Sequence, residues 1–178
     1  FKNAGSGYSG FAIANGTLYT LGTRNGKEIL IALDAATGKD KGAVVVGDIL
    51  NNNWGNGPRG TPTVAGGIVY AMGGGGSLVA ADAKTGVIKW KVSMSDFGGK
   101  RPGWGYCESV TVEGDQVICT PGGSQGSMLA LRAKDGSKIW QSSGITDGAQ
   151  YASILPIEHN GMRQYVQLTQ RHVFGVDA

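Results

Sequence analysis

The sequence repeats itself at intervals of 45–50 residues, and its clearest copy runs from Ala80 to Trp90. Within that copy, Asp82 can accept turn N–H groups through its carboxylate, and Gly86 supplies the positive φ that closes such a turn. Trp90 is a large apolar plate with one N–H, which suits a half-buried position on a neighbouring sheet. The copy therefore predicts a strand, a tight turn, and a second strand that ends on a tryptophan.

Three further copies are present, and each departs from this pattern. The copy that starts at residue 130 has Arg132 in place of the aspartate, so we expect Asp135 to cap its turn instead. The copy that starts at residue 32 has Gly42 in place of the tryptophan, and a fourth copy starts at Gly175. The four starts are 48, 50 and 45 residues apart. We assign a structural role to the repeated positions, which are Asp34, Gly38, Ala80, Asp82, Gly86, Trp90, Ala130, Gly136 and Trp140.

Short apolar or β-branched runs fill the intervals between the copies, and Asn-Gly, Gly-Gly and Gly-Asp pairs divide them as strand and turn signals do. Helical periodicity of useful length is absent. Four antiparallel strands in each interval predict an all-β protein, a β-propeller of four-stranded blades. We expect a single propeller segment over residues 1–178, with blades at approximately 8–46, 59–92, 106–142 and 150–178.

These four blades are not expected to close on themselves, because the last one lacks an outer strand and Phe1–Gly7 is a poor strand to supply it. An open ring exposes two sheet edges and two blade faces, which favours aggregation. We therefore expect the chain to be part of a larger ring of about seven or eight blades.

Composition excludes several classes of function. The chain has 32 glycines, 40% hydrophobic residues and 16% charged residues, which is too apolar for a disordered protein. Its formal net charge of +3 is scattered, so nucleic acid is not an expected partner. No apolar stretch approaches the roughly 20 residues that span a bilayer, and the chain shows no signal-peptide pattern at Phe1. We expect neither a transmembrane segment nor a signal peptide within it.

The spacing Ala-x-Asp-x-x-Thr-Gly-x-x-x-Trp over residues 80–90 resembles the tryptophan-docking repeat of the pyrroloquinoline-quinone (PQQ)-like β-propellers. That superfamily includes quinoprotein alcohol dehydrogenases and BamB-type outer-membrane assembly lipoproteins. Residues 57–64, 103–109 and 163–167 are similar to secreted bacterial members of it. The resemblance covers essentially the whole chain from Tyr8, and it implies a propeller fold and a periplasmic or secreted location.

Functional residues are expected on one face of the propeller. In an up-and-down blade successive turns alternate between the two faces, so the longer loops and the crossovers between blades gather on the same face. Loops on a rigid scaffold are where binding residues concentrate. Aligning the first strands of the blades places four triplets near the mouth of the central channel: Tyr8-Ser9-Gly10, Arg59-Gly60-Thr61, Cys107-Glu108-Ser109 and Tyr151-Ala152-Ser153.

From these triplets and the crossover loops we select six candidates. Trp54 and Trp104 could form the floor under a ring-shaped ligand, and the other four could face it. The alternative is structural: such residues often pair with each other or with neighbouring blades, and tryptophans often pack in the core. The six candidates are Tyr8, Trp54, Arg59, Trp104, Glu108 and Tyr151.

Metal and hydrolase chemistry have little support. The two histidines lack partners at ligand spacing, and Gly-x-Ser-x-Gly does not occur. Cys107 and Cys119 lie on one hairpin. A two-residue turn at Gly114-Asp115 would place Cys107 opposite Gly122, whereas a looser turn would bring the two cysteines diagonal to each other. A disulfide between them stays open at this point.

Two functions follow, from different classes. The first is a non-enzymatic binding or scaffold propeller without a cofactor, which binds a protein partner or a small ligand on the long-loop face. The second, implied by the resemblance, is a PQQ- and calcium-dependent quinoprotein alcohol dehydrogenase-like oxidoreductase. Arg59 would then clamp a carboxylate and Trp104 would form the floor, but Glu108 is one oxygen ligand where calcium takes six to eight. The adjacent cysteine pair that many such enzymes carry over the quinone is missing.

Overall fold

The computed structural model describes all 178 residues and contains fifteen strands in four antiparallel sheets. Each sheet is one blade, and strands follow chain order within it. The only helix is a single 3-10 turn at Met94–Phe97, and no helix could span a membrane. The strands are β1 (Phe11–Ala14), β2 (Thr17–Arg24), β3 (Lys27–Asp34) and β4 (Asp40–Asp48) in blade 1; β5 (Thr63–Ala65), β6 (Ile68–Met72), β7 (Ser77–Asp82) and β8 (Ile88–Ser93) in blade 2; β9 (Thr111–Glu113), β10 (Gln116–Cys119), β11 (Leu129–Arg132) and β12 (Lys138–Gln141) in blade 3; and β13 (Leu155–His159), β14 (Met162–Leu168) and β15 (Val173–Asp177) in blade 4.

The hairpin turns follow the glycine punctuation of the sequence. Between β1 and β2 the chain turns at Asn15 and Gly16, whose φ values of 47° and 70° are those of a two-residue turn that matches strand twist. Between β9 and β10, Val112 pairs with Val117, which is the register that a two-residue turn predicts. The all-β architecture of antiparallel blades is therefore confirmed.

The repeated turn docks one blade on the next through Trp90. This side chain is 7% exposed and projects from β8 of blade 2 onto the turn of blade 3. Its Nε1 donates to the carbonyl oxygen of Ala133 at 2.8 Å. A Cβ atom on Gly136 would come within 2.8 Å of the indole ring, so only glycine allows this approach. The contact belongs to the largest buried cluster of the molecule, between blades 2 and 3.

Trp140 makes a different contact from Trp90. Its Nε1 donates to Oε1 of Gln116 in its own blade at 3.1 Å, and its ring stacks on Tyr165 of blade 4 with centroids 6.2 Å apart. The side chain is only half-buried. Trp140 therefore packs between blades, but against an aromatic ring and not against a glycine turn.

Consecutive blades are also joined near the channel by a ladder of hydroxyl groups. The backbone N–H of Thr61 donates to Oγ of Ser109 at 3.0 Å, and the N–H of Ser109 donates to Oγ of Ser153 at 2.9 Å. The hydroxyl of Thr111 donates to the carbonyl oxygen of Ile154 at 2.7 Å. These bonds tie the inner strands of blades 2, 3 and 4 in order, and they position the residues that precede each strand.

Blades 1 and 4 are not joined to each other by any hydrogen bond or ion pair. Each leaves apolar side chains on its outward face. Phe11 and Ile13 are more than half exposed in blade 1, and Leu155, Leu168 and Val173 are more than half exposed in blade 4. The four blades therefore form an open arc.

Candidate functional site

Six side chains line a cavity of about 460 Å³ at the mouth of the arc. They come from the segment before β1 and from the crossovers between blades. These segments lie on the face of the propeller that carries the longer loops, which we call the long-loop face. We call this cavity the mouth pocket. Its lining residues are Tyr8, Trp54, Arg59, Trp104, Cys107 and Tyr151.

Arg59 is the only charged group of the mouth pocket, and backbone carbonyls hold it in place. Its Nη2 donates to Gly55 O at 2.8 Å and its Nη1 donates to Gly57 O. The guanidinium carbon lies 5.4 Å from the ring centroid of Tyr8, which is a cation–π distance. No carboxylate lies within ion-pair distance of Arg59. The pocket therefore carries a positive charge that forms no ion pair, and the acidic group on which it acts is the buried Glu28: burial raises the pKa of that carboxyl, and the charge of Arg59 lowers it to a smaller extent.

Two further contacts fix the aromatic walls. The hydroxyl of Tyr8 donates to the carbonyl oxygen of Trp54 at 2.6 Å, and a Cβ atom on Gly55 would lie 2.0 Å from that hydroxyl. Across the pocket, Trp104 and Tyr151 stack with centroids 5.2 Å apart and planes inclined by 12°. Preformed, nearly parallel rings of this kind can hold a flat ligand without first being ordered.

The two crossover loops that carry the tryptophans are bound to each other. The side-chain amide of Asn52 donates to the carbonyl oxygen of Gly103 at 2.5 Å, and its Oδ1 accepts the backbone N–H of Trp54 at 2.9 Å. Trp54 itself stays 72% exposed. The loops are thus held together while a large aromatic face remains open to solvent.

Glu108 does not line the mouth pocket, contrary to its placement among the candidates. Its side chain is buried within blade 3, where Oε1 accepts the backbone N–H of Thr120 and Oε2 has no partner. Burial raises the pKa of Glu108 to about 7.

Cys107, one residue earlier, lines the mouth pocket in place of Glu108. Tyr8, Arg59, Cys107 and Tyr151 are the first members of the four aligned triplets, whereas Glu108 is a second member. Taking the first member of every triplet as the pocket residue selects Cys107 and not Glu108.

Glu28 is a second buried glutamate, and no sequence pattern predicts it. Glu28 in β3 accepts the backbone N–H of Leu50 at 3.1 Å and that of Gly74 at 2.8 Å, and it is fully buried. Burial raises its pKa, and the two backbone hydrogen bonds lower it to a smaller extent. Glu28 therefore joins the crossover loop after blade 1 to blade 2 through hydrogen bonds to the backbone of both.

The mouth pocket contains one thiol, that of Cys107. Burial raises the pKa of the Cys107 thiol, which disfavours the nucleophilic thiolate. Cys107 and Cys119 are both free, and Cys119 is buried with its Sγ 3.8 Å from Sδ of Met94. No group of three or more His, Cys, Asp or Glu side chains lies close enough together to hold a metal ion. The pocket offers flat apolar walls and one cation.

These features define a class, the PQQ-like β-propellers: four-stranded blades, tryptophan docking between them, and a site where the crossover loops meet. The profile of the family described as outer membrane protein assembly factor BamB matches residues 3–95 and 26–178. The chain belongs to this family. A comparison with curated protein sequences gives no match.

Solved structures share the fold at low sequence identity. BamB from Moraxella catarrhalis matches with a TM-score of 0.59 and 19% identity, over 97% of this chain and 50% of that one. Quinohemoprotein alcohol dehydrogenase from Comamonas testosteroni matches with a TM-score of 0.70 and 20% identity, over 94% and 33%. The computationally designed Ika4 protein matches with a TM-score of 0.64 and 10% identity, over 99% and 93%. The chain thus spans half or less of the two natural proteins.

Proposed function

We propose that this chain is a non-enzymatic binding propeller whose ligand occupies the mouth pocket. The observation that carries the proposal is the convergence of Tyr8, Trp54, Arg59, Trp104 and Tyr151 on one cavity. Three of these rings are more than 60% exposed, namely Tyr8, Trp54 and Tyr151. A rimmed cluster of exposed aromatic side chains is typical of an interaction site. Arg59, which forms no ion pair, favours a ligand or a segment of a protein partner that combines an aromatic or apolar group with a negative charge.

A quinoprotein dehydrogenase fits the residues of this chain less well. The walls of the mouth pocket suit a flat ring and Arg59 suits a carboxylate. Calcium, however, needs several oxygen ligands, including about two or more carboxylates. The one candidate ligand, Glu108, is buried away from the pocket. The residues present therefore do not fit a quinone with its calcium ion, and we derive no oxidation step from them.

The family supports a setting outside the cytoplasm. Its description names an outer membrane protein assembly factor, and one structural relative is a BamB. On that basis we propose a periplasmic or secreted protein. A binding role in contact with another protein agrees with that description.

The test uses 2-naphthoate, a flat aromatic carboxylate, as a probe. We expect saturable binding that shifts the indole N–H resonances of Trp54 and Trp104. Trp54→Ala and Tyr151→Ala should each weaken binding at least fivefold, because each removes an exposed wall without removing buried contacts. Val87→Ala, an exposed change outside the pocket, is the matched control.

A second arm adds PQQ with and without calcium and measures dye-linked alcohol oxidation, for which we expect no activity. Calcium-dependent PQQ binding with alcohol oxidation would overturn the proposal in favour of the dehydrogenase. Failure of naphthoate to shift any resonance of the mouth pocket would also overturn it.

A further inference from the structure

Blades 1 and 2 meet at the same kind of turn as blades 2 and 3, but the tryptophan is missing. In β4, Gly42 pairs with Ala32, as Trp90 pairs with Ala80 in the next blade. The repeat alignment is therefore also a structural equivalence. A Cβ atom on Gly42 would meet no heavy atom within 4 Å. The place that an indole ring occupies between blades 2 and 3 is only partly filled between blades 1 and 2, where Cγ2 of Val44 lies 3.4 Å from a Cβ atom built on Gly86.

Tyr19 supplies the hydrogen bond that the missing tryptophan would make to the turn of blade 2. Trp90 donates to the carbonyl oxygen of Ala133, and the equivalent carbonyl in blade 2 is that of Ala83. That oxygen accepts the hydroxyl of Tyr19 at 2.8 Å. Tyr70 holds the place of Tyr19 in blade 2, where its ring lies 5.9 Å from that of Trp90. A tyrosine and an indole can therefore lie side by side at this junction.

The apolar half of the contact is left as a cavity of about 160 Å³, which we call the vacant seat. Its floor includes Tyr19, Ala32 and Val69, and its far wall is the turn that ends at Gly86. Gly42 and Lys41 are exposed at its opening, so the seat can be reached from solvent. An apolar cavity of about 150 Å³ is large enough to hold a benzene ring.

The charges at the opening are unbalanced. Lys41 and Lys84 both line the seat, and neither forms an ion pair. Asp82 also lines the seat, but it forms an ion pair with Lys89 at 3.8 Å, so the two lysines of the lining exceed its one carboxylate. Exposed charges of one sign favour an occupant that carries the opposite sign next to its ring.

We propose that the vacant seat binds the tryptophan side chain of a partner polypeptide, with acidic residues beside that tryptophan. The chain itself shows the chemistry of the occupant, since the equivalent seat is filled by Trp90. The indole packs beside Val44 on the floor formed by Tyr19, Ala32 and Val69. Its N–H can share the Ala83 carbonyl, which has a second lone pair. This inference does not depend on the mouth pocket or its ligand.

The experiment titrates the chain with acetyl-Asp-Trp-Asp-amide and follows the backbone amide resonances of Gly42 and Gly86. Saturable shifts confined to residues of the vacant seat are expected. Acetyl-Asp-Leu-Asp-amide should bind at least tenfold more weakly because it lacks the ring. Acetyl-Lys-Trp-Lys-amide should bind more weakly at low salt, and the difference should shrink at high salt.

Two variants test the location. Ala32→Leu places a larger side chain under the seat and should weaken binding of the acidic tryptophan peptide at least tenfold. Ala36→Leu, in an exposed turn, should leave it unchanged. Tyr19→Phe frees the Ala83 carbonyl and should strengthen binding.

The proposal fails if the leucine peptide binds as well as the tryptophan peptide. It also fails if Ala32→Leu binds like the wild type, or if the shifts fall on Trp54 and Tyr151. If Ala32→Leu does not fold, the wild-type shifts at Gly42 and Gly86 still decide: their absence at saturating peptide refutes the seat.

Discussion

Trp90 joins two blades by combining a flat apolar contact with a hydrogen bond, since its ring covers Gly136 while its N–H reaches Ala133. Removing a buried tryptophan side chain leaves a cavity as well as an unsatisfied carbonyl. Trp90→Ala should therefore lower the free energy of unfolding by about 3–5 kcal/mol. The control is Trp54→Ala, which removes an exposed ring and should change stability by less than about 0.5 kcal/mol. Urea denaturation measures both, and equal losses in the two variants would contradict the docking role.

Glu108 should make stability depend on pH. Its pKa is about 7 in the folded protein against an ordinary value of 4.5, so between these pH values the folded state binds more protons than the unfolded state. Stability must then fall as pH rises from 4.5 to 7, by at most about 3 kcal/mol for a shift of this size. Glu108→Gln keeps an oxygen acceptor for Thr120 but cannot ionise.

The measurement is the free energy of unfolding at pH 5 and pH 8 in wild type and in Glu108→Gln. We expect the wild type to lose more stability over this range than the variant. Glu28, whose pKa is also raised by burial, contributes equally to both proteins and cancels in the difference. An identical pH dependence in the two proteins would show that Glu108 is ionised at little cost.

At the scale of single elements, Tyr19 makes the hydrogen bond that a docking tryptophan makes at the next junction between blades. Its hydroxyl donates to Ala83, whereas the hydroxyl of Tyr70 at the equivalent place makes no hydrogen bond with the protein. Tyr19→Phe should therefore cost about 1 kcal/mol of stability. Tyr70→Phe, the matched control, should stay within about 0.5 kcal/mol of the wild type. Thermal unfolding of both variants checks the pair, and a larger loss for Tyr70→Phe would be inconsistent with this assignment.

The turn of each repeat could be predicted from sequence because its chemistry is local. Oδ1 of Asp82 accepts the backbone N–H groups of Lys84 and Thr85, as an aspartate in that place should. Arg132 lacks this function and forms an ion pair with Asp115 at 3.2 Å. Asp135 instead accepts the N–H of Ser137 at 2.9 Å, so the expected substitute cap is confirmed.

The mouth pocket could be predicted only in part, because it depends on contacts between blades. Aligned triplets identify which residues precede each inner strand, and this was enough for Tyr8, Arg59 and Tyr151. The alignment does not show on which side of the backbone each side chain lies, so it predicts Glu108 in the pocket, where the structure has Cys107. The stacking of Trp104 on Tyr151 joins two crossover loops, and no local pattern encodes such a contact.

At the scale of the whole molecule, the arc has two unlike ends. The first residues of the chain cover part of blade 1, since the N–H of Thr23 donates to the carbonyl oxygen of Ala4 at 2.8 Å. Phe11 and Ile13 of the same blade remain exposed. Blade 4 presents the apolar face of a three-stranded sheet. In the natural relatives of greater length, the matched region is 50% or less of the chain. Exposed sheet edges and apolar faces together favour association.

The 178-residue chain alone should therefore associate in a concentration-dependent manner. Leu168 and Val173 pair across β14 and β15, so their side chains share the open face of blade 4. Replacing both with lysine puts two like charges into any contact that buries this face, and it should weaken association at least tenfold. Val87→Lys, at an exposed turn position away from the blade faces, should leave association unchanged. Sedimentation velocity over a hundredfold concentration range measures all three proteins. A wild-type chain that stays monomeric throughout, with a single cooperative unfolding transition, would show that the arc is stable with its faces in water.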